Sequence, residues 1–154
     1  MIGRIVDDAG LVNRIEAKDK SGALKELLAA AHATGVFSEK VGKALAKRLL
    51  EREALGSTGL GNGVAVPHVK GEGIDRVVLV LGRSKDGLDW QAIDGRPVHV
   101  VFLLVSPADE PETHLQCLRW IATLARNPDF RRFLLDAEDE GAMRDLLREM
   151  QPKV

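Results

Sequence analysis

The stretch VHVVFLLV, residues 98–105, contains a single polar residue and decides how this chain folds. Its β-branched content and its length favour a buried strand over a helix. A strand that is apolar at consecutive positions is typical of a sheet covered on both faces. The run VVLVL, residues 77–81, has the same character, and VAV at residues 64–66 is a third candidate strand. These segments predict a small sheet in the middle of the chain.

Amphipathic helices are predicted on both sides of this sheet. In residues 21–34 apolar side chains recur at i, i+3, i+4 and i+7, and Ser38 is placed to cap a second helix. Three more helical segments follow the strands. One begins near Pro111, one begins at Pro128 with Asn127 as its cap, and one follows Asp139, which is placed to cap it. Helices before and after a group of strands predict an α/β fold, with one domain and about five helices around the sheet.

Composition excludes several classes of protein. The 154 residues suit one domain, and 22 basic against 23 acidic side chains leave a net charge of −1. That balance gives no reason to expect nucleic acid as a partner, and the aromatic content of 4% argues against a base-stacking surface. A lone cysteine, Cys117, favours a reducing compartment, and we see neither a signal peptide nor a membrane span. We expect a cytoplasmic protein.

The glycine-rich segment GSTGLGNG, residues 56–63, does not match a nucleotide-binding motif. A P-loop requires Lys after its second Gly, where this chain has Asn62, and the dinucleotide fingerprint requires Gly where it has Val64. Both motifs also follow a strand and open a helix, which is the reverse of the order predicted here. We therefore expect no cofactor. We expect the glycine-rich segment to be a flexible loop that crosses the mouth of a site.

Four histidines are the candidates for chemistry, and they do not suggest a metal centre. No two have the spacing of a helical zinc site, and one cysteine adds no ligand cluster. His32 lies on the first predicted helix, and no reactive side chain is near it in the sequence. His99 lies inside the apolar strand, where a hydrogen-bonded core or edge histidine is the simpler interpretation.

His68 and His114 have more suggestive settings. His68 follows Pro67 at the end of a predicted strand, which suits a nucleophile or a general base, although an ordinary surface-loop histidine fits equally well. His114 lies in the first turn of its helix, where free N–H groups and the helix dipole favour an anion and a neutral imidazole. Arg52, near the end of the second helix, is placed to hydrogen-bond the last carbonyl groups.

Four segments occur in a consistent order and together carry a family resemblance. They are EALGSTGLGNGVAVPHVK (53–70), GLDWQAIDGRPVHVVFLLVSPAD (87–109), THLQCLRWIATL (113–124) and NPDFRRFLLDA (127–137). These segments resemble the enzyme IIA domains of the bacterial phosphoenolpyruvate-dependent phosphotransferase system, of the fructose/mannitol type that includes the nitrogen-related proteins. Together with the N-terminal helices they cover nearly the whole chain.

The resemblance implies a fold, a site and a reaction. Residues 1–154 would form one such domain with a mixed sheet flanked by helices. His68 matches the phospho-accepting histidine, and His114 and Arg52 match its active-site partners. We expect Thr113 and Asn62 to give further support to the phosphoryl group. The resemblance requires neither a metal nor a cofactor.

The implied partners are proteins. The phosphoryl group would come from a histidine carrier of the HPr type and pass to a IIB component or serve as a regulatory signal, with a membrane involved only through a IIC transporter. The family usually has glycine after the phospho-histidine, and this chain has Val69. A β-branched residue at this position restricts the allowed backbone conformations and adds bulk beside the nucleophile. The alternative is therefore a non-catalytic regulatory module in which His68 is rarely phosphorylated.

Overall fold

Six helices and six strands make up the part of the chain that our computed structural model describes, residues 1–152. The helices are α1 (Ile2–Asp7), α2 (Lys20–Ala33), α3 (Glu39–Leu55), α4 (Pro111–Ala125), α5 (Pro128–Asp136) and α6 (Glu140–Glu149). The strands are β1 (Gly10–Val12), β2 (Gly59–Gly61), β3 (Val64–Ala65), β4 (His68–Gly71), β5 (Val78–Leu88) and β6 (Val98–Pro107).

The strands form one mixed sheet in the order β1-β5-β6-β3-β2, and β4 also pairs with β6. β5 runs antiparallel to β6, whereas β3 and β4 run parallel to it. β3 and β4 pair with successive parts of β6, with Pro67 between them. Among the described strands β4 pairs with β6 alone, so its outer edge is open.

Alternate side chains of β6 enter two separate cores. Val101, Leu103 and Val105 pack with residues of α2 and α3 on one face of the sheet. Phe102 and Leu104 pack with α1, α4, α5 and α6 on the other face. The sheet is therefore covered on both sides, as the uninterrupted apolar run predicts.

The predicted helices are confirmed, together with their caps. At each of the three predicted caps a side-chain oxygen accepts a hydrogen bond from a backbone N–H in the first turn of the helix, which satisfies one of the donors left free at a helix start. The capping pairs are Ser38 with Val41 at 3.2 Å, Asn127 with Phe130 at 3.0 Å and Asp139 with Ala142 at 2.9 Å. None of the helices between residues 1 and 152 is both long and apolar enough to cross a membrane.

The shortest elements were not predicted. With α1 the described residues contain six helices instead of about five. The strands β1, β2 and β4 have three or four residues each, too few to show an alternating pattern. The glycine-rich segment is not a flexible crossing, because β2 pairs with β3 there through a tight turn. Gly61, Asn62 and Gly63 have φ values of 89°, 58° and 78°, the left-handed conformation for which glycine and asparagine are suited.

Candidate functional site

His68 opens β4 at the uncovered edge of the sheet, opposite Leu104 of β6. Paired residues of neighbouring strands share a face, and Leu104 belongs to the core beneath α4. His68 and Lys70 therefore lie on the α4 face of the sheet, and the intervening Val69 lies on the other. The sequence placed His68 at the end of a strand. The structure places it at the start of one, because Pro67 separates β4 from β3.

A backbone hydrogen bond determines which nitrogen of His68 is available. Nδ1 lies 2.7 Å from the carbonyl oxygen of Val66, and His68 is half-buried. A carbonyl oxygen only accepts, so Nδ1 must carry a proton and donate it. In the neutral ring Nε2 then has no proton, and its lone pair is the nucleophilic site.

His114 is the second ring of the site. Its centroid is 5.5 Å from that of His68, and only 5% of the residue is exposed. Burial lowers the pKa of His114 to about 4, with smaller electrostatic contributions from His68 and Lys70. His114 is therefore neutral near pH 7, as its position near a helix N-terminus predicts.

Three cations surround the two rings in an open pocket of about 390 Å³. Arg52 Nη1 donates to the carbonyl oxygen of Gly56 at 2.7 Å, the helix-end contact predicted from the sequence. Arg48 lies over β4 beside Gly71, where a Cβ would be only 2.7 Å from Nη1, so a side chain at Gly71 would displace Arg48. The pocket is lined by Arg48, Glu51, Arg52, Leu55, His68, Val69, Lys70 and His114.

A buried polar network holds the end of α3 next to this pocket. Glu53, 6% exposed, accepts from Lys20 Nζ at 3.0 Å and from the backbone N–H of Thr58 at 3.2 Å. The Thr58 hydroxyl donates to the same carboxylate and accepts from the indole of Trp90 at 3.2 Å. These bonds join α2, α3 and the segment after α3, and so position the turn that carries Arg52. No local pattern in the sequence predicts these bonds, because the partners are 5 to 33 residues apart.

Both predicted support residues, Asn62 and Thr113, lie away from the pocket. Asn62 is at the tip of the β2–β3 turn, where its backbone N–H donates to Asp94 at 3.0 Å. That turn contacts β6 at His99, whereas His68 pairs with Leu104 of the same strand. The five positions between His99 and Leu104 correspond to about 16 Å along a strand. Asn62 is too far away to assist His68, because the glycine-rich turn is at the opposite end of the sheet.

The side chain of Thr113 also points away from the pocket. Its hydroxyl contacts the sulfur of Met1 at 3.2 Å, and it lines a separate cavity beside α1. Neighbouring helical residues project about 100° apart, and here His114 lines the pocket with His68 whereas Thr113 does not. The expected role of the Thr113 hydroxyl is corrected accordingly.

Val69 does not crowd the nucleophile. It is 8% exposed and belongs to the core formed with α2 and α3. Its register partner is Val105, which lies in that same core. The β-branched bulk is therefore directed away from the His68 ring, although the residue borders the pocket.

The arrangement suits an anionic electrophile. An unprotonated ring nitrogen lies in an open pocket beside a neutral imidazole, an exposed arginine and further cations. Guanidinium groups bind phosphoryl oxygens well, and transfer of a phosphoryl group requires mainly positioning and charge stabilisation.

Comparison with known proteins agrees with this chemistry. The family model described as "Phosphoenolpyruvate-dependent sugar phosphotransferase system, EIIA 2" matches residues 6–150. The chain is 34% identical over 135 residues to the fructose-specific EIIABC component of Bacillus subtilis, covering 88% of this chain and 21% of that protein. It is 34% identical over 144 residues to a nitrogen regulatory protein of Bradyrhizobium diazoefficiens, covering 93% and 92%. The chain thus spans about a fifth of the first relative and most of the second.

Solved structures show the same fold. The nitrogen regulatory protein IIA-Ntr of Neisseria meningitidis superposes with a TM-score of 0.74 at 26% identity, covering 95% of this chain and 98% of that one. Enzyme IIA-mannitol of Escherichia coli, solved in complex with phosphorylated enzyme IIB-mannitol, gives a TM-score of 0.73 at 17% identity, with 91% and 94% covered.

Proposed function

This chain belongs to the EIIA 2 family of the phosphoenolpyruvate-dependent sugar phosphotransferase system, and we propose that it carries a phosphoryl group on Nε2 of His68. The observation that carries the proposal is the 2.7 Å bond from His68 Nδ1 to the Val66 carbonyl, which leaves Nε2 unprotonated beside His114 and the three cations. Residues 1–154 act as one domain in this proposal.

The transfer step is a displacement at phosphorus. The lone pair of His68 Nε2 forms a new N–P bond while the N–P bond to the donor histidine breaks. The donor ring, protonated at its other nitrogen, leaves as a neutral imidazole. The proton on His68 Nδ1 stays in its bond to Val66, so the phosphorylated ring is cationic and offsets part of the phosphoryl charge. Arg52 turns from Gly56 to the phosphoryl oxygens.

The donor in this proposal is a phosphohistidine carrier of the HPr type. The acceptor is a IIB component or a regulatory target. The complex of Escherichia coli IIA-mannitol with IIB-mannitol supports a IIB acceptor, and the relative named as a nitrogen regulatory protein supports a regulatory target. The lone Cys117 supports action in the reducing cytoplasm.

Phosphorylation from phosphoenolpyruvate, enzyme I and HPr, followed by intact mass, tests the proposal. We expect the wild-type chain to gain one phosphoryl group that is lost in acid, and His68→Ala to gain none. His99→Ala is the matched control, because His99 also donates Nδ1 to a carbonyl, and it should label like the wild type. Full labelling of His68→Ala would overturn the proposal. An unlabelled wild type that binds its target would establish the non-catalytic alternative instead.

A further inference from the structure

Ser106 lies behind the site and has no place in the mechanism above. It is fully buried on β6, opposite Lys70 of β4. Alternation along β6 directs its side chain to the same face as Leu104, beneath α4. There its Oγ is 2.7 Å from Nδ1 of His114.

The direction of this hydrogen bond decides the tautomer of His114. A hydroxyl can donate or accept, and a neutral imidazole has one N–H and one bare nitrogen. If Nδ1 donated, the Ser106 hydrogen would need another acceptor, and within residues 1–152 the structure gives Ser106 Oγ no hydrogen bond except the one to His114. If Ser106 donates to Nδ1, the buried hydroxyl is satisfied and the His114 proton lies on Nε2. The second arrangement pairs the buried hydroxyl and places the remaining N–H on the ring edge away from Ser106.

The opposite edge of the ring then becomes a donor. Ser106 occupies the Nδ1 edge of His114, and His114 lines the pocket that also contains His68. An Nε2–H can donate to an oxygen of a phosphoryl group on His68, whereas a bare Nε2 would present a lone pair to those anionic oxygens.

Resting on the function proposed above, we propose that Ser106 is a positioning residue whose hydroxyl holds His114 in the Nε2–H tautomer, so that His114 donates a hydrogen bond to the transferring phosphoryl group. The two histidines are then held in complementary tautomers by two different devices. The Val66 carbonyl forces the His68 proton onto Nδ1 and leaves its Nε2 a nucleophile. The Ser106 hydroxyl forces the His114 proton onto Nε2 and makes it a donor.

Nitrogen-15 NMR of the imidazole rings tests the tautomer directly. In the wild type without phosphate at pH 7 we expect His114 to show a protonated Nε2 and a bare Nδ1, and His68 the reverse. Ser106→Ala should shift His114 toward the Nδ1–H tautomer. Ser106→Thr retains a hydroxyl and should restore the wild-type pattern. Ser84→Ala is the matched control, because Ser84 is a buried serine on β5 whose Oγ accepts from Gly87 instead of contacting His114.

The transfer rate provides the second readout. We expect Ser106→Ala to slow phosphorylation of His68 about tenfold, the value of one hydrogen bond, and Ser84→Ala to leave it unchanged. A wild-type spectrum with His114 protonated on Nδ1 would overturn the inference, as would a Ser106→Ala variant with unchanged tautomer and rate. Because the spectra need no phosphate, they test Ser106 even if the wild type proves not to be phosphorylated, an outcome that would count against the proposed function alone.

Discussion

Opposite ends of the sheet each carry a pocket with a strand histidine, and only one of the two has the features of a transfer site. His68 and His99 are each half-buried on a strand, and each directs Nδ1 to a backbone carbonyl, at 2.7 Å to Val66 and at 2.9 Å to Ser84. Both line pockets that also contain arginine and lysine. The pocket at His99 is the larger, at about 560 Å³ against about 390 Å³. Size and composition therefore do not distinguish the two ends.

One arginine at each end is used differently. The guanidinium of Arg83, beside His99, donates to the carbonyl groups of Leu134 and Ala137 at 2.9 and 2.7 Å and to both the carbonyl and the side chain of Asn13. Arg52 is exposed and has one such bond among the described residues, to Gly56. Only His68 has a second imidazole at stacking distance in the part of the chain described. A site for a phosphoryl group needs hydrogen-bond donors that are not already paired with groups of the protein itself.

The largest expected effect separates these two arginines. Arg52→Met should lower the rate of phosphoryl transfer about 100- to 1000-fold, because it removes a donor to the transition state. Arg83→Met should leave that rate unchanged and lower the free energy of unfolding by about 2–3 kcal/mol, because several carbonyl groups lose a charged donor. Rapid-quench kinetics and urea unfolding measure the two quantities. Both substitutions keep the aliphatic stem, so packing is matched. A transfer defect in Arg83→Met equal to that of Arg52→Met would remove the distinction between the two ends.

The second prediction concerns the buried imidazole of His114, which has no counterpart near His99 among the described residues, and its effect on stability as a function of pH. The pKa of His114 falls from 6.5 in the unfolded chain to about 4 in the fold, so between these values the unfolded state binds the extra proton. Stability therefore rises with pH across this window, and acidification from pH 6.5 to pH 4 should cost about 2–3 kcal/mol from His114 alone. Urea unfolding at a series of pH values measures it.

Two variants of α4 isolate the contribution of His114. His114→Gln should remove this part of the pH dependence. Burial raises the pKa of the Cys117 thiol to about 11, so Cys117 stays neutral throughout the window, and Cys117→Ala should lower stability equally at every pH within it. An unchanged slope in His114→Gln would mean that His114 is not the group responsible.

The smallest effect concerns the valine after each histidine. Val69 follows His68 and Val100 follows His99, and both are buried in a core. Because Val69 packs on the face of the sheet opposite His68, Val69→Ala should lower the free energy of unfolding by about 1–2 kcal/mol and leave the transfer rate unchanged. A faster transfer by Val69→Ala would show that bulk at this position restrains the nucleophile, and would favour the regulatory alternative.

Local patterns were sufficient for much of the fold. Ser38, Asn127 and Asp139 cap their helices as predicted, because a cap is a contact within four residues. The run at residues 98–105 is the central strand, because its side chains alone require cover on both faces. The pairing of β1 with β5 and the contact of Lys20 with Glu53 were not predicted, because each joins residues far apart in a chain without a local signal.

For the site, the sequence by itself determined which residues we propose to act in the transfer. His68, His114 and Arg52 were singled out by their settings and by a family resemblance. Their spacing along the chain contained no information on which groups converge, so Asn62 and Thr113 were included and Arg48, Lys70 and Ser106 were not. Tertiary structure decided which groups converge, because it sets the register between β4 and β6. That register places each side chain of the two strands on one face of the sheet or the other. It also decided the protonation of each ring, since a tautomer depends on the partner that folding brings to each nitrogen.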